Sequence, residues 1–291
     1  MKLLTTSEAA EYLRLGERKL YELVAEERIP CSKVTGKWLF PRHELDRWVM
    51  SGLARPAGML PQEAPPIVGG SQDDLLEWSL RQSGSGLASL TEGTESGVGR
   101  LQRGETAAAA IHFHGADADP NAAAVAGMAQ LHDMVLVGFA RREQGLLLPP
   151  GNPKSLHSLA DILTTRATMA VRQRGAGADM LLTQLMDATG LPPGGLVRLE
   201  PPCLTGPDLA AAVRTGRADC GIATRAAARS AGLDFVPLVW ENFDLLMRQR
   251  TYFQPSFQAL LHLMRQQVFA DRAAELTGYD TAPAGRIRFF R

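Results

Sequence analysis

Thr5-Thr6-Ser7-Glu8-Ala9-Ala10-Glu11-Tyr12-Leu13 reads as the start of a helix, with Thr5 and Glu8 at capping-box spacing. Leu15-Gly16 stops it, and a second helix is expected at once over Glu17 to Glu26. A short basic hairpin follows through Ile29-Pro30 and Lys33-Val34-Thr35-Gly36-Lys37 to Trp38-Leu39-Phe40. A third helix is expected from about Pro41 to Met50. Two helices joined by a short turn let the second enter a DNA major groove. On that reading Arg18, Lys19 and Tyr21 face the groove, with Arg suited to the guanine edge and Lys and Tyr to phosphates. The wing lysines Lys33 and Lys37 track phosphates, while Trp38, Phe40, Leu45 and Trp48 build a small core.

Composition sets limits without choosing among functions. The 291 residues suggest about two domains, and 45% apolar content is enough for real cores. Thirty-one basic and 31 acidic residues cancel, so no global field draws the chain to nucleic acid. Within residues 1–50 nine Lys and Arg face eight Asp and Glu, a net of +1. DNA binding must therefore come from where the charges sit. Cys31, Cys203 and Cys220 lack metal or redox spacing and read as reduced thiols. No apolar run approaches the roughly 18–20 residues that span a membrane. With the DNA-type module in front and no export signal before it, the expected location is cytoplasmic.

Residues 51–66, with four prolines and two glycines, read as a semi-extended linker. Beyond it, short apolar runs alternate with helical patterns, which points to an α/β domain over 67–291. Expected strands are Ile67–Gly70, Leu87–Leu90, Ala107–Phe113, Met134–Ala140, Thr168–Arg172, Ala218–Ala223 and Phe235–Val239. Helices are expected from Ser71-Gln72-Asp73 to Arg81, over Asp179–Ala188 and over Pro207–Thr215. Phe257, Leu260, Leu261, Met264 and Val268 recur at helical spacing as one apolar face. Gly84-Ser85-Gly86 and Gly97-Val98-Gly99 read as loop glycines.

Two resemblances follow. Thr5-x-x-Glu8-Ala9-Ala10-x-Tyr12-Leu13, Arg18-Lys19-Leu20-Tyr21, Gly36-Lys37-Trp38-Leu39-Phe40 and Leu45-Asp46-Arg47-Trp48 resemble the winged helix-turn-helix of the excisionase and MerR-like families. From about residue 66 the chain is similar to cytoplasmic, two-lobed (type II) periplasmic-binding-protein-like domains of the molybdate and tungstate type. The shared marks are Arg142-Glu143-Gln144-Gly145-Leu146, Gly151-Asn152-Pro153, Arg172-Gln173-Arg174-Gly175, Gly216-Arg217-Ala218-Asp219-Cys220-Gly221 and Leu233-Asp234-Phe235-Val236-Pro237-Leu238. The two together imply a one-component transcriptional regulator, not an enzyme and without a cofactor. Its implied partners are double-stranded DNA, a small anion and a second copy of itself, with no membrane. The sign of regulation stays open, as do two alternatives: a DNA-binding protein whose second domain has no ligand and serves oligomerisation, and, behind it, an enzyme, for which the sequence offers no nucleophile–base pair.

In such a fold, strand ends and helix N-termini line the cleft, where unpaired amides suit an anion. Three turns fit: Gly69-Gly70-Ser71, Thr91-Glu92-Gly93-Thr94 and Arg174-Gly175-Ala176-Gly177. Ser71, Thr91, Glu92 and Thr94 would join the amides of Gly175, Ala176 and Gly177, with Thr205 and Thr224 near further positions. Where that family has Ser-Gly-Thr-Arg after Arg174-Gly175, this chain has Ala176-Gly177-Ala178-Asp179, so a small carboxylate fits as well as molybdate or tungstate. Arg142, Arg172 and Arg174 would pair with it. His112 lines the cleft as a hydrogen-bonded side chain. His112-x-His114 shares one strand face, but no third metal ligand stands at a recognisable spacing. The expected hinges lie near Met134–Ala140 and Asp244–Met247.

Overall fold

The computed structural model describes residues 2–34, 36–51, 63–115, 117–128 and 133–290, and most of the 51–66 linker lies outside them. The chain divides into two compact units, Met1–Met59 and Leu60–Arg291.

In the first unit β1 (Leu3–Leu4) precedes α1 (Thr6–Tyr12), whose start carries the full capping box of Thr5 and Glu8. Gly16 then caps α2 (Glu17–Ala25); β2 (Ser32–Val34), β3 (Lys37–Pro41) and α3 (Arg42–Ser51) complete the unit. The wing is a three-stranded sheet rather than a bare hairpin, because Leu3 and Leu4 pair with Pro41 and Phe40. A strand of two residues leaves no periodic trace in sequence. Leu20, Leu23 and Val24 bury one side of α2 against Ala9, Ala10, Phe40 and Leu45. Trp48 packs on this core and donates its indole N–H to the Arg28 carbonyl at 2.7 Å.

The second unit begins with β4 (Ile67–Gly70), α4 (Asp74–Gln82), β5 (Ala88–Thr91), α5 (Thr94–Arg103), β6 (Ala108–Ile111) and α6 (Pro120–Gly127). The strand β7 (Met134–Leu148) leads to α7 (Leu159–Thr164), β8 (Thr168–Ala170), α8 (Gly177–Thr189) and β9 (Val197–Arg198). Then come α9 (Gly206–Arg214), β10 (Cys220–Thr224), α10 (Arg225–Ala231) and β11 (Asp234–Arg248). The chain closes with α11 (Gln249–Tyr252), α12 (Pro255–Met264), α13 (Gln267–Leu276), β12 (Tyr279–Asp280) and β13 (Ile287–Phe290). The strand order β5-β4-β6-β11-β7-β10-β8-β9 places parallel β4, β5 and β6 in one lobe and parallel β8, β9 and β10 in the other.

Only β7 and β11 cross between the lobes in this order, as one long antiparallel pair. The expected hinge segments are therefore displaced. Val135, Val137, Phe139, Leu245 and Met247 sit in the first lobe's core, and the crossing falls near Arg142–Gln144 and Val239–Phe243, where the register shifts. The second lobe has its own cores around Leu146, Met169, Leu181 and Ile222 and around Leu209 and Val213.

Two further expectations change. Gly97-Val98-Gly99 is not loop but the middle of α5, which lies directly on β4. A methyl group on Gly97 would fall 2.4 Å from the Gly70 Cα, so this approach requires glycine. The apolar face expected as one helix is split at Arg265-Gln266 into α12 and α13, and Val268 is left 43% exposed.

Candidate ligand-binding site

The lobes enclose a cavity of about 250 Å³ at their junction. Five helices begin at or beside it, yet their N-termini differ in chemistry. Asp73 accepts from Leu76 N and caps α4; Thr205 accepts from Asp208 N and caps α9; Thr224 accepts from Ala227 N and caps α10. The N-caps of α5 and α8, Gly93 and Ala176, supply no side-chain cap. Their first amides have no intrahelical acceptor and sit at the positive end of the helix dipole. These two turns come from opposite lobes and nearly touch, since a methyl on Gly93 would lie 3.4 Å from the Ala176 Cα.

The cleft floor is a buried ionic network. Arg142, 2% exposed, donates from Nε to Glu241 Oε1, and from Nη1 to Asp73 Oδ2 at 3.0 Å and the Gln72 carbonyl at 3.2 Å. Gln144 Nε2 also donates to Glu241 Oε1, at 2.9 Å, and Tyr279 donates to Asp73 at 2.9 Å. Burial pushes the Glu241 carboxyl up, but Arg142 and His112 outweigh it and hold it well below the usual range. Burial also drives His112 down to about 4 against the pull of Glu241. His112 is thus neutral and Glu241 ionised. A carboxylate only accepts, so the imidazole proton sits on Nδ1, 3.0 Å from Glu241 Oε2. The other ring nitrogen, Nε2, is left as an acceptor beside Gly177.

The sequence-chosen residues scatter around this cavity. Ser71, His112, Arg142, Arg172, Ala176 and Gly177 line it. Thr94 is fully buried beneath the wall, bonded to Ser71 Oγ at 2.8 Å and accepting from His112 N at 3.3 Å. Thr91, Glu92 and Thr205 line a separate, shallower hollow, where Arg100 claims the Glu92 carboxylate. Gly175 faces the Glu95 side chain, and Arg174 points to solvent and is not part of the lining. Arg142, expected to await a ligand carboxylate, is already neutralised by Glu241 and Asp73. Arg172 differs. Its Nε and Nη2 donate to the carbonyls of Cys203 and Leu204 at 3.2 and 2.8 Å, and no carboxylate pairs with it among the described residues. Burial pushes its guanidinium below the ordinary value.

Sequence reasoning missed Glu241 and Gln144. Glu241 also supplies the third ligand type that the His112-x-His114 pair lacked: both imidazoles and this carboxylate place ligand atoms within 4.8 Å of one another. A divalent ion there would face the Arg142 guanidinium on the same carboxylate, so the arrangement suits a hydrogen-bonded network better. The thiols of Cys203 and Cys220 are both raised by burial, Cys220 to about 12, which leaves them inert near neutral pH.

In the first unit α2 buries Leu20, Leu23 and Val24 and turns Arg18, Lys19 and Tyr21 outward. The Arg18 side chain is 96% exposed and lies 3.6 Å from the Glu22 carboxylate. Lys37 is exposed, and Lys33 lies over the Trp38 ring at 5.1 Å. All five residues chosen for DNA are on the surface.

Residues 77–265 match the model of the PBP superfamily domain. The chain belongs to the PBP superfamily. Residues 3–52 match a helix-turn-helix domain, so this PBP superfamily member carries a DNA-binding type of head. It is 23% identical over 307 residues to the uncharacterized protein YvgK of Bacillus subtilis, covering 97% of this chain and 96% of that one. The fold is shared with the tungstate ABC transporter structure from Geobacter sulfurreducens (TM-score 0.52, 12% identity, 75% of this chain and 100% of that one). It is likewise shared with a Corynebacterium glutamicum OxyR C206 mutant (TM-score 0.52, 14% identity, 94% and 89%). Among the described residues no helix is long and apolar enough to cross a membrane.

Proposed function

We propose that this protein is a one-component transcriptional regulator. Its helix-turn-helix head binds double-stranded DNA, and its PBP-type unit senses a small anion between the lobes. Arg172 carries this reading: a cavity-lining cation without a counterion, near two helix N-termini that no side chain caps. An arriving anion supplies the missing charge and favours the closed arrangement of the lobes about β7 and β11. That coupling works through the difference in ligand affinity between open and closed forms. In a homodimer the same motion resets the placement of two heads, and DNA binding puts the protein in the cytoplasm. The role is binding, without turnover and without a cofactor.

The DNA half is tested by selecting fragments from sheared genomic DNA on the full chain and titrating the bound complex with salt. Arg18→Ala with Lys37→Ala is expected to weaken binding across sequences and to reduce the salt slope by about two. An unchanged slope would place the DNA face elsewhere.

A further inference from the structure

The cavity holds more than a place for charge. Gln144 is 2% exposed, lines the cavity, and has its Oε1 buried with no hydrogen-bond partner. Its orientation is fixed by chemistry: Nε2 must face Glu241, which only accepts, so the amide oxygen is turned away from it. The acceptor nitrogen of His112 belongs to the same lining, and so does the half-buried Asp74 carboxyl. A buried acceptor without a donor is costly unless something arrives to satisfy it. Arg172 and the first residues of α8 line the same space as these acceptors, and so does Gly93, the N-cap of α5.

The volume points the same way. A water occupies about 30 Å³ of liquid, so about 250 Å³ is far more than a five-atom oxyanion fills. Ala210, Ala211, Ala227 and Ala231 line the cavity where it runs between α9 and α10. The small apolar side chains there leave room for a carbon body, with Thr224, Ser230 and Arg214 on the same stretch of lining.

We propose that the sensed molecule is a hydroxylated organic acid. Its carboxylate sits on Arg172 and the open amides, a hydroxyl donates to Gln144 Oε1, and its carbon body lies toward the alanine-lined end. A hydroxyl is chosen over an ammonium because Glu241, which orients the Gln144 amide, is already paired with Arg142 and calls for no second cation. This inference rests on the anion-sensor reading and narrows it.

The test is a thermal-shift and calorimetric comparison on the purified full chain with matched probes: malate against succinate, 4-hydroxybenzoate against benzoate, then aspartate and molybdate. The hydroxylated member of a pair is expected to raise the melting point more and to bind about tenfold or more tightly, because its absence leaves Gln144 unpaired. Gln144→Met should bring the two members of a pair close to equality. Equal binding within both pairs to the unaltered chain would overturn the inference while leaving the anion site standing, as would tightest binding by aspartate or by molybdate. No shift with any of these anions would overturn the anion site itself, and this inference with it.

Discussion

Arg142 and Arg172 line one cavity but live under opposite rules. On the floor, where β7 and β11 cross, Arg142 is closed in by Glu241 and Asp73, and its charge is spent on holding the crossing together. On the second lobe's wall, Arg172 is held by two backbone carbonyls and the Gln173 side-chain oxygen, and among the described residues it has no anion of its own. A cation closed in by carboxylates is structural; one held only by neutral oxygens is a receptor in waiting. The same contrast runs through the helix starts, with α4, α9 and α10 capped by their own side chains and α5 and α8 left open.

The sharpest way to break this comparison is to remove each guanidinium. Arg142→Ala strands two buried carboxylates and is expected to cost about 3–5 kcal/mol in urea unfolding. Arg172→Ala loses only hydrogen bonds to neutral oxygens of Gln173, Cys203 and Leu204, about 1 kcal/mol, yet should abolish the stabilisation that anions give. Equal costs for the two variants, or anion stabilisation surviving without Arg172, would erase the distinction.

The floor also fixes a pH response. The folded-state pKa of His112, about 4, lies below its ordinary 6.5. Between those values the unfolded chain binds the proton more readily, so the contribution is complete above pH 6.5 and is lost as pH falls toward 4. The size is on the order of 3 kcal/mol. Urea midpoints measured from pH 7.5 to 4.5 should fall accordingly, and His112→Gln should flatten the slope. A slope that His112→Gln leaves untouched would assign the acid sensitivity to other groups.

Much of the frame was readable in advance, because short apolar strands, the Thr5–Glu8 capping box and glycine turns are local signals. What escaped was made by distance. The apolar run of β7 ends at Ala140 by periodicity, yet the strand continues to Leu148 through Arg141-Arg142-Glu143-Gln144. Charged residues continue a buried strand only if partners arrive, and Glu241 stands 99 residues from Arg142 and 129 from His112. Gly93, Gly97 and Gly99 hid α5 for a related reason. Their lack of side chains speaks for loop locally, while the fold uses Gly97 to seat the helix on β4. Six of the twelve sequence-chosen ligand residues line the cavity itself, because a turn can be recognised in sequence but the direction it faces cannot.

The finest separation is between two glycines that each begin a cavity-side helix. Gly177 opens α8, and a methyl group there would fall 1.9 Å from His112 Cε1 and 2.1 Å from Nε2. Gly206 opens α9, and the nearest atom to its added methyl is Gln72 Oε1 at 4.0 Å. Gly177→Ala must therefore push the imidazole aside and strain its bond to Glu241, at about 1–3 kcal/mol. Gly206→Ala should be neutral or stabilising by a few tenths to about 1 kcal/mol, through a less flexible unfolded chain. Removing the ring removes the clash, so Gly177→Ala made in a His112→Ala background should cost much less than in the unaltered chain. If the two costs are the same, the His112 ring does not rest on the start of α8, and the tight fit at Gly177 comes from another neighbour.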